Sequence, residues 1–536
     1  MSKNSKSTEI ELKLLLPDQE AGAAVVEFMR QRDYKVEEMD PVRNIDIYLD
    51  TFDWMLLKNK LAFRYRLAND RTMYTLKSMG GIEDGVAKRT EIEIAVETPV
   101  DEPAAVPVKS LRKRVKEVIF PRKLIEHIQI RTDRRLYRVI SPEGAKIELA
   151  FDTSGFSLRG LHKPRRAQRL LEMEAELLKG PAKALPALGS LLSDKFGHTP
   201  SIMSKLETAM ERLKVVIPTK KPPEVLRVRL NDRLDLGVRK IFSSQFHWFS
   251  EQIPGVLRDI DTEFVHQARV ATRRMRSASR LFHDSIPETT ALYIEDELKW
   301  LGSMLGVVRD LDVFLLNLSG FREEIKPFPK KQKKVFDDWI KKHRRKPLKA
   351  LYDSLQSSRF KQFEHRMSQF LERPLPAHPR APLAAKAIRE VAPQIIHAKL
   401  EAVIKQGRAV MEDPKLQEFH RLRIQMKKLR YACEFMAPAY DGGLDPFIDR
   451  TVEIQDCLGE LQDTVFTRKF VRYLHDDWKR KLVDPDLLFT LGQIHQLQAQ
   501  IARNRQDAFA AIWERFSSNE TKAVLNEILI SPSGQA

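Results

Sequence analysis

Acidic and basic side chains alternate with apolar ones along short segments of the N-terminal half. Glu9, Glu11 and Lys13 share one face of the first segment, opposite Ile10 and Leu12. The same period of two recurs within 61–67, 89–94, 146–152 and 171–177. A period of two predicts β-strands. Carboxylates suit Mg²⁺ or Mn²⁺, and Lys and Arg suit phosphoryl oxygens, so the combination indicates recognition of a metal-bound polyanion.

These strands must be arranged so that their charged faces meet. For any one strand, the alternative is a sheet with an apolar core side and a solvated charged side. A closed antiparallel barrel of about eight strands would instead gather the charged faces into one tunnel, large enough for one small ligand. Burying so many charges without a ligand would be costly, so we expect a wet or occupied tunnel.

Several motifs carry a resemblance to a known family. Glu9-x-Glu11-x-Lys13 resembles the signature of the CYTH superfamily, the triphosphate tunnel metalloenzymes. Further matching segments follow in the family's order: Tyr48-Leu49-Asp50-Thr51, Leu61-Ala62-Phe63-Arg64-Tyr65-Arg66, Thr75-Leu76-Lys77, Arg89-x-Glu91-x-Glu93, Arg134-x-x-Tyr137, Glu148-x-x-x-Asp152, Glu172-x-Glu174-x-Glu176-Leu177 and Ser204-Lys205. The resemblance covers about residues 7–213. It departs where Asn59-Lys60 replaces a usual glycine and Phe63 a leucine.

The resemblance implies an eight-stranded antiparallel tunnel that hydrolyses inorganic tripolyphosphate to diphosphate and phosphate with Mg²⁺ or Mn²⁺. It assigns metal binding and water positioning to Glu9, Glu11, Glu172 and Glu174, with Asp152 and Glu148 supporting the metal. The phosphate ligands would be Lys13, Arg64, Arg66, Lys77, Arg89, Arg134 and Lys205, of which Lys13 also counts as catalytic. Other members of the family act on thiamine triphosphate or ATP, which remain alternative substrates.

The C-terminal half contains an internal repeat. His266-x-x-Arg269-x-x-x-Arg273-Arg274-x-Arg276 is matched, at an offset of 154 residues, by His420-x-x-Arg423-x-x-x-Lys427-Lys428-x-Arg430. Leu305-Gly306-x-x-Arg309-Asp310 is matched by Leu458-Gly459-x-x-Gln462-Asp463 at an offset of 153 residues. Repetition at a nearly constant offset indicates a duplicated structural unit.

The spacing places the basic residues of each copy on one stripe of a helix, beside an apolar stripe typical of a bundle core. A basic stripe is usually a solvated face, but an anion lying along it would relieve the repulsion between like charges. Asp310, Asp312 and Asp463 could instead pair with these bases. The repeat resembles the CHAD domain over about residues 225–515, which implies two four-helix bundles around a surface that binds long-chain polyphosphate. The tandem resembles bacterial inorganic triphosphatases of the CYTH-CHAD type.

Periodicity, composition and charge indicate the domain organisation and the cellular location. The periodicity changes from two to 3.6 near residue 216, and Pro-rich stretches predict a linker at 214–224 and a break between helical repeats at about 225–372 and 383–515. An α+β multidomain protein follows. Two cysteines, no signal-like N-terminus and no long apolar run predict a cytoplasmic protein without membrane contact. The net charge of +18 suits polyanions, including nucleic acid.

Three functions stay open at this point. The first is the triphosphatase with polyphosphate held by the helical half. The second is a polyphosphate-binding or targeting protein with little turnover. The third, a nucleic-acid binder, is disfavoured because the basic stripes lack interleaved aromatic residues for base stacking. The sequence does not indicate an oligomeric state.

Overall fold

The computed structural model describes residues 5–68, 71–79, 82–83, 86–97, 106–162, 165–201, 203–217, 226–325, 330–480 and 485–530. Side chains at 5–10, 68, 71, 82–83, 86–91, 97, 168, 319, 322–323, 330–332, 480 and 530 are outside this description. The predicted linker residues 218–224 also lie outside it. The chain separates into two compact units, Met1–Thr219 and Lys220–Ala536.

The first unit is an antiparallel β-barrel with helices on its outside. Its strands are β1 (Ser5–Leu15), β2 (Lys35–Glu38), β3 (Val42–Asp50), β4 (Leu61–Ala68), β5 (Arg71–Ser78), β6 (Ile82–Glu83), β7 (Val86–Glu97), β8 (Ile125–Ile140), β9 (Lys146–Leu158) and β10 (Arg166–Lys179). Its helices are α1 (Ala21–Gln31), α2 (Met55–Lys58), α3 (Lys109–Ile119), α4 (Ala184–Phe196) and α5 (Lys205–Arg212).

Eight of the described strands close into a ring. They follow the order β1-β10-β9-β8-β3-β4-β5-β7, and β7 pairs back with β1, in register from Ser5 opposite Glu93 to Leu12 opposite Val86. The short strands β2 and β6 pair with β8 and β7 outside this ring. The predicted eight-stranded antiparallel barrel is therefore confirmed, with two accessory strands.

The apolar faces of the strands point away from the interior of the barrel. Leu12 and Leu14 of β1 pack in one cluster with Met173 of β10 and with Leu185 and Leu188 of α4. Two further clusters bury the outer faces of the remaining strands under α2, α3 and α5. Because side chains alternate along a strand, this packing turns the charged residues of the same strands inward.

The second unit is helical and duplicated. Its first copy consists of α6 (Leu234–Leu257), α7 (Thr262–Leu281), α8 (Glu288–Glu324), α9 (Lys330–Gln356) and α10 (Ser358–Glu372). The second copy consists of α11 (Ile388–Glu412), α12 (Leu416–Met436), α13 (Asp445–Arg480), α14 (Pro485–Ser517) and α15 (Asn519–Ile530). Each copy thus has the four long helices that we predicted and a fifth, shorter helix.

The two copies are not independent bundles, because they share a hydrophobic core. Phe314 of α8 and Phe336 of α9 pack in one cluster with Trp478 of α13 and Leu491 of α14. Helices α7 and α12, which carry the two basic stripes, also contact each other. Within the described segments, no helix has the length and apolar composition needed to cross a membrane.

Candidate active site and basic cleft

The interior of the barrel is a cavity of about 280 Å³ with charged walls. Eight of the residues predicted for the active site line it: Glu11, Lys13, Arg64, Arg66, Lys77, Arg134, Glu174 and Lys205. Glu148, predicted to support the metal, also lies in this wall. The cavity therefore brings together residues that span most of the N-terminal unit in sequence.

Two predicted residues fall where only the backbone is described. Glu9 of β1 and Arg89 of β7 are opposite each other in the strand pair that closes the barrel. Their side chains are outside the described part of the structure. Their roles consequently remain predictions.

Lys13 is a buried cation held by carboxylates. Its ammonium donates to Glu174 at 2.6 Å and lies 3.6 Å from Glu11. Burial alone would lower the pKa of Lys13, but Glu174, Glu11 and Glu172 outweigh it and raise the pKa above its ordinary value. Lys13 therefore stays charged at neutral pH and is available to a phosphoryl oxygen.

Lys205 enters the barrel from the first turn of α5. The helix begins with a capping box, in which the Ser204 side chain accepts from the amide of Glu207 and the Glu207 carboxylate accepts from the amide of Ser204. This cap fixes the point from which the Lys205 side chain departs. The ammonium of Lys205 contacts Asp152 and lies 2.9 Å from Glu174.

Arg134 completes this network from β8. Its guanidinium binds Asp152 through two hydrogen bonds of 2.7 and 2.6 Å and also pairs with Glu174. Burial opposes ionisation of Glu174, but Lys13, Lys205 and Arg134 together hold its pKa well below the ordinary range. Glu174 is thus a carboxylate surrounded by three cations, any of which a phosphate chain could engage.

Glu172 has a different environment from its neighbour two residues along the same strand. Its side chain is 1% exposed, and neither carboxylate oxygen has a hydrogen-bond partner. Its nearest ion-pair partner is the Lys205 ammonium at 3.7 Å. Burial is the main reason that the pKa of Glu172 is raised, with Lys205 and Lys13 opposing the shift. Such an orphaned carboxylate is costly unless a ligand completes it.

The predicted metal ligands therefore divide into two groups. Glu174 and Asp152 are engaged by Lys and Arg, whereas Glu172 is unsatisfied. Among the residues with described side chains, no three His, Cys, Asp or Glu residues are grouped as metal ligands. The donor chemistry still fits Mg²⁺ or Mn²⁺, which prefer carboxylate oxygens and share their coordination with substrate phosphates.

Asp46 is a cavity residue that the sequence analysis missed. It lies on β3 with 3% exposure, and it accepts two hydrogen bonds from Arg66, at 2.7 and 3.0 Å. Arg64 donates to the same carboxylate at 3.4 Å. Burial would raise the pKa of Asp46, but Arg64 and Arg66 outweigh it and lower the pKa. The alternation of Asn44, Asp46 and the matched Tyr48 would have located it.

Asp50 belongs to a matched motif, but its carboxylate binds backbone amides. A register shift in β3 after Tyr48 precedes it. Its carboxylate accepts from the amides of Thr51, Leu56 and Leu57 at 2.7, 2.8 and 2.9 Å, which anchors α2. Burial, partly offset by these hydrogen bonds, raises the pKa of Asp50 to about 6. This part of the motif therefore shapes the barrel wall and does not face the cavity.

The helical unit contains a second charged cavity, of about 400 Å³, which we call the basic cleft. Both copies of the repeat contribute predicted residues to it, namely Arg273 and Arg274 from α7 and Lys427 and Arg430 from α12. Gln245, Trp248, Gln267, Val270, Tyr431, Glu434 and Gln455 complete the wall. Two residues of each stripe therefore line a common space.

Part of the positive charge in the basic cleft is neutralised internally. Glu434 pairs with Arg274 and with the Arg430 guanidinium, the latter at 2.5 Å. Burial would raise the pKa of Glu434, but the two arginines outweigh it and lower the pKa. The ring of Tyr431 lies under Arg274, 5.4 Å from its guanidinium carbon, so this aromatic surface is covered by the protein's own cation.

Lys427 carries the uncompensated charge of the cleft. Burial, followed by repulsion from Arg273, Arg423 and Arg269, lowers its pKa to about 7, and Asp463 only partly opposes this. Neighbouring arginines destabilise the charged form of this lysine, and an anion bound beside it would stabilise that form again. This environment therefore indicates an anion-binding site.

The other predicted residues of the stripes do not line the cleft; they are His266, Arg269, Arg276, His420, Arg423 and Lys428. A Cβ at Gly306 would lie 3.5 Å from Nε of Arg269, an ordinary van der Waals contact, so this neighbour does not require a glycine there. His420 bonds Gln462 through Nδ1 at 2.6 Å.

Asp312, one of the three acids that could have paired with the stripes, pairs instead with a residue outside them. Its carboxylate is fully buried and accepts from Arg344 of α9 at 2.6 Å. Asp310 and Asp463 do lie close enough to Arg269 and to Arg423, respectively, for these arginines to lower their pKa against the larger raising effect of burial. Internal pairing of the stripes is therefore partial.

Comparison with known proteins divides the chain in two. A family model for the CYTH domain matches residues 7–196, and a model for the CHAD domain matches residues 240–472. An uncharacterized protein of Mycobacterium tuberculosis strain CDC 1551 is 23% identical over 517 residues, covering 91% of this chain and 92% of the relative. The same values hold for its counterpart in strain H37Rv.

Solved structures resemble each part separately. The CHAD domain of the plant Ricinus communis is 22% identical, with 55% of this chain and 96% of that chain covered and a TM-score of 0.45. A Hippeastrum protein described as having a dominant triphosphatase activity is 20% identical, with 38% of this chain and 95% of that chain covered and a TM-score of 0.29.

Proposed function

The chain is a CYTH domain followed by a CHAD domain, and from this premise we propose that its barrel hydrolyses inorganic tripolyphosphate to diphosphate and phosphate while its helical domain binds long-chain polyphosphate. The observation that carries the proposal is the cavity of about 280 Å³ inside the barrel, whose wall combines lysines and arginines with carboxylates. Phosphoryl transfer depends mainly on positioning and on neutralising charge, and this wall supplies both.

An inorganic chain fits the cavity better than a nucleotide. Of the described residues that line the cavity, Tyr48 is the aromatic one, and it is only 9% exposed. A base or a thiazolium ring would therefore find little surface to stack on, whereas every phosphoryl group of a short chain could meet a cation. ATP and thiamine triphosphate remain the competing substrates.

The divalent metal, Mg²⁺ or Mn²⁺, would be held by Glu9, Glu11, Glu172 and Glu174, with Asp152 in support. When bound, it supplies charge neutralisation on the phosphate oxygens and lowers the pKa of water. The orphaned oxygens of Glu172 support this assignment, because they need a partner that the described protein atoms do not provide.

The protein's own residues would divide the remaining work. Arg64 and Arg66, held by Asp46, present guanidinium groups at one side of the cavity. The ammonium groups of Lys13 and Lys205 and the guanidinium group of Arg134 lie near Glu174. A phosphate chain bound between these two groups of cations would replace the carboxylates as their negatively charged partner. The carboxylates so released can orient a water in line with the terminal phosphorus and accept its proton.

Phosphate release from tripolyphosphate, ATP and thiamine triphosphate, measured side by side with Mg²⁺, Mn²⁺ and chelator, tests the barrel. We expect metal-dependent release that is fastest from tripolyphosphate. Glu11→Gln should abolish it, whereas the exposed Glu143→Gln, which removes the same charge, should not. Faster phosphate release from ATP or thiamine triphosphate would identify that compound as the preferred substrate. No release under any condition would favour a binding or targeting protein.

Long-chain polyphosphate binding tests the helical domain. The double variant Arg273→Glu with Lys427→Glu should bind polyphosphate more weakly, and the difference should grow at low salt, where charges are less screened. Arg345→Glu with Lys346→Glu, on an exposed face of α9, changes the net charge equally and is the matched control. Equal losses in both variants would show nonspecific attraction, and displacement by single-stranded nucleic acid would favour that ligand.

A further inference from the structure

A third charged cavity, of about 380 Å³, lies in the first helical copy between α6, α8 and α10. Three arginines line it: Arg239 from α6, Arg366 from the middle of α10, and Arg373, which directly follows α10. Thr289 and Thr290, in the first turn of α8, add hydroxyl groups. We call it the arginine pocket; it shares no lining residue with the basic cleft.

The arginines are held in place by contacts that leave their charge uncompensated. Arg239 donates to the backbone carbonyl of Arg373, and its guanidinium carbon lies 5.4 Å from the centre of the Phe370 ring. Arg366 lies over Tyr293 at 4.5 Å. Stacking on a ring orients a guanidinium group but does not neutralise it. It also covers one face of each ring.

Acidic partners are missing from the pocket. In the described part of the chain, no carboxylate forms an ion pair with these three arginines. The nearest acid to Arg239 is Asp235, which is occupied by Arg233 through bonds of 3.2 and 2.7 Å. Burial lowers the pKa of Arg239; Asp235 opposes this, and Arg373 and Arg233 add to it. Arg239 and Arg373 therefore repel each other beside an open space that Arg366 also lines.

The pocket belongs to one copy of the repeat. At the offset of 154 residues that relates the first pair of motifs, Arg239 corresponds to Pro393. Thr289 lies between the two motifs, whose offsets are 154 and 153 residues, and corresponds to Gly443 or Gly442. The basic stripes are kept in both copies, whereas the arginine pocket is not. Bundle packing shared by the two copies therefore does not account for it.

We propose that the arginine pocket binds a compact phosphate anion, a diphosphate or triphosphate group, at a site separate from the barrel and the basic cleft. A guanidinium group can donate two parallel hydrogen bonds to phosphate oxygens. The N-terminal turn of α8, which also lines the pocket, adds partial positive charge. The anion can come from two sources: a free short phosphate, or the end of a long polyphosphate chain.

Protection of an introduced thiol tests the pocket in the full-length protein. The two native cysteines, Cys433 and Cys457, are buried, so Thr289→Cys would provide one accessible thiol at the pocket wall. Alkylation of this thiol should slow as pyrophosphate is added in the presence of chelator. At about ten times the Kd, about one site in eleven stays free, so labelling should slow about tenfold.

Two controls separate the pocket from the other sites. The thiol of Ser303→Cys, exposed on the same helix, should be labelled at the same rate with and without pyrophosphate. Adding Arg239→Gln and Arg366→Gln to Thr289→Cys should abolish protection, whereas adding Lys427→Gln should not. Protection by pyrophosphate would identify a free short phosphate as the ligand of the pocket. Protection by long-chain polyphosphate alone would identify the end of a chain as the ligand. Unchanged labelling with both, or protection that survives loss of the two arginines, would overturn the proposal.

Discussion

Polyphosphate binding should weaken as the pH rises through neutrality, because Lys427 must be charged to bind it. Burial and the neighbouring arginines lower the pKa of Lys427 to about 7. A bound polyanion reverses the repulsion and returns the pKa towards its ordinary value, so the bound form keeps its proton. Below the free pKa, binding needs no proton. Above it, each binding event must take one up, and the affinity falls.

The size of the effect follows from the fraction of charged lysine. At about pH 6 most of the free protein carries the charge, and at about pH 8 only about one molecule in eleven does, which weakens binding by up to about tenfold, or about 1.4 kcal/mol. Lys427 is partly exposed, so solvent and salt reduce this figure. Long chains are the appropriate ligand, because their terminal phosphates, which also titrate, are then a small part of the charge.

Affinity for long-chain polyphosphate, measured at constant ionic strength across this pH range, checks the prediction. Lys427→Arg is the matched variant, because its guanidinium keeps its charge throughout, and its binding should fall less with pH. The histidines of the stripes, His266 and His420, are unchanged in both proteins, so the difference isolates Lys427. If the two proteins show the same pH dependence, the lowered pKa or its coupling to the anion is refuted.

Two further perturbations follow from other contacts. Asp46→Asn removes the charge that orients Arg66. The fall in kcat/KM for tripolyphosphate should correspond to a loss of about 1.5 to 3 kcal/mol, mainly through a higher KM and with unchanged circular dichroism. A loss confined to kcat would contradict a positioning role. Gly407→Ala should lower the free energy of unfolding by about 1 to 3 kcal/mol, because its Cβ would lie 1.9 Å from the Trp513 ring. Gly492→Ala, with open space at the Cβ, should raise that free energy by up to about 1 kcal/mol in denaturant titrations.

The barrel could be predicted from the sequence because period-two alternation specifies which side chains share a face. The inward charges and outward apolar residues of β1 and β10 follow directly from it. Asp46 obeys the same rule, but it lies two residues ahead of the matched segment that begins at Tyr48, so the motif alone does not mark it. A register shift then explains why Asp50, of the same parity, leaves the cavity and caps α2.

The electrostatic pairing in the helical unit could not be predicted in the same way. A repeat shows that α7 and α12 are equivalent, but which residues meet depends on how the two helices cross. Glu434 neutralises Arg274 across that crossing, and the long-range bond from Arg344 occupies Asp312. The arginine pocket likewise joins α6, α8 and α10, and no local pattern marks such an encounter.

The closure of the barrel by β1 makes the extreme N-terminus a structural element. This strand pairs with β7 along Ser5–Leu12 and with β10 along Glu11–Leu15, so it supplies hydrogen bonds to both neighbours. Proteolytic trimming ahead of Lys13 would remove the partner of β7 and leave β10 paired with β1 only through Lys13–Leu15, and exposed edges promote aggregation. Engineered fusions and affinity tags are therefore better tolerated when they leave this strand free to close the wall.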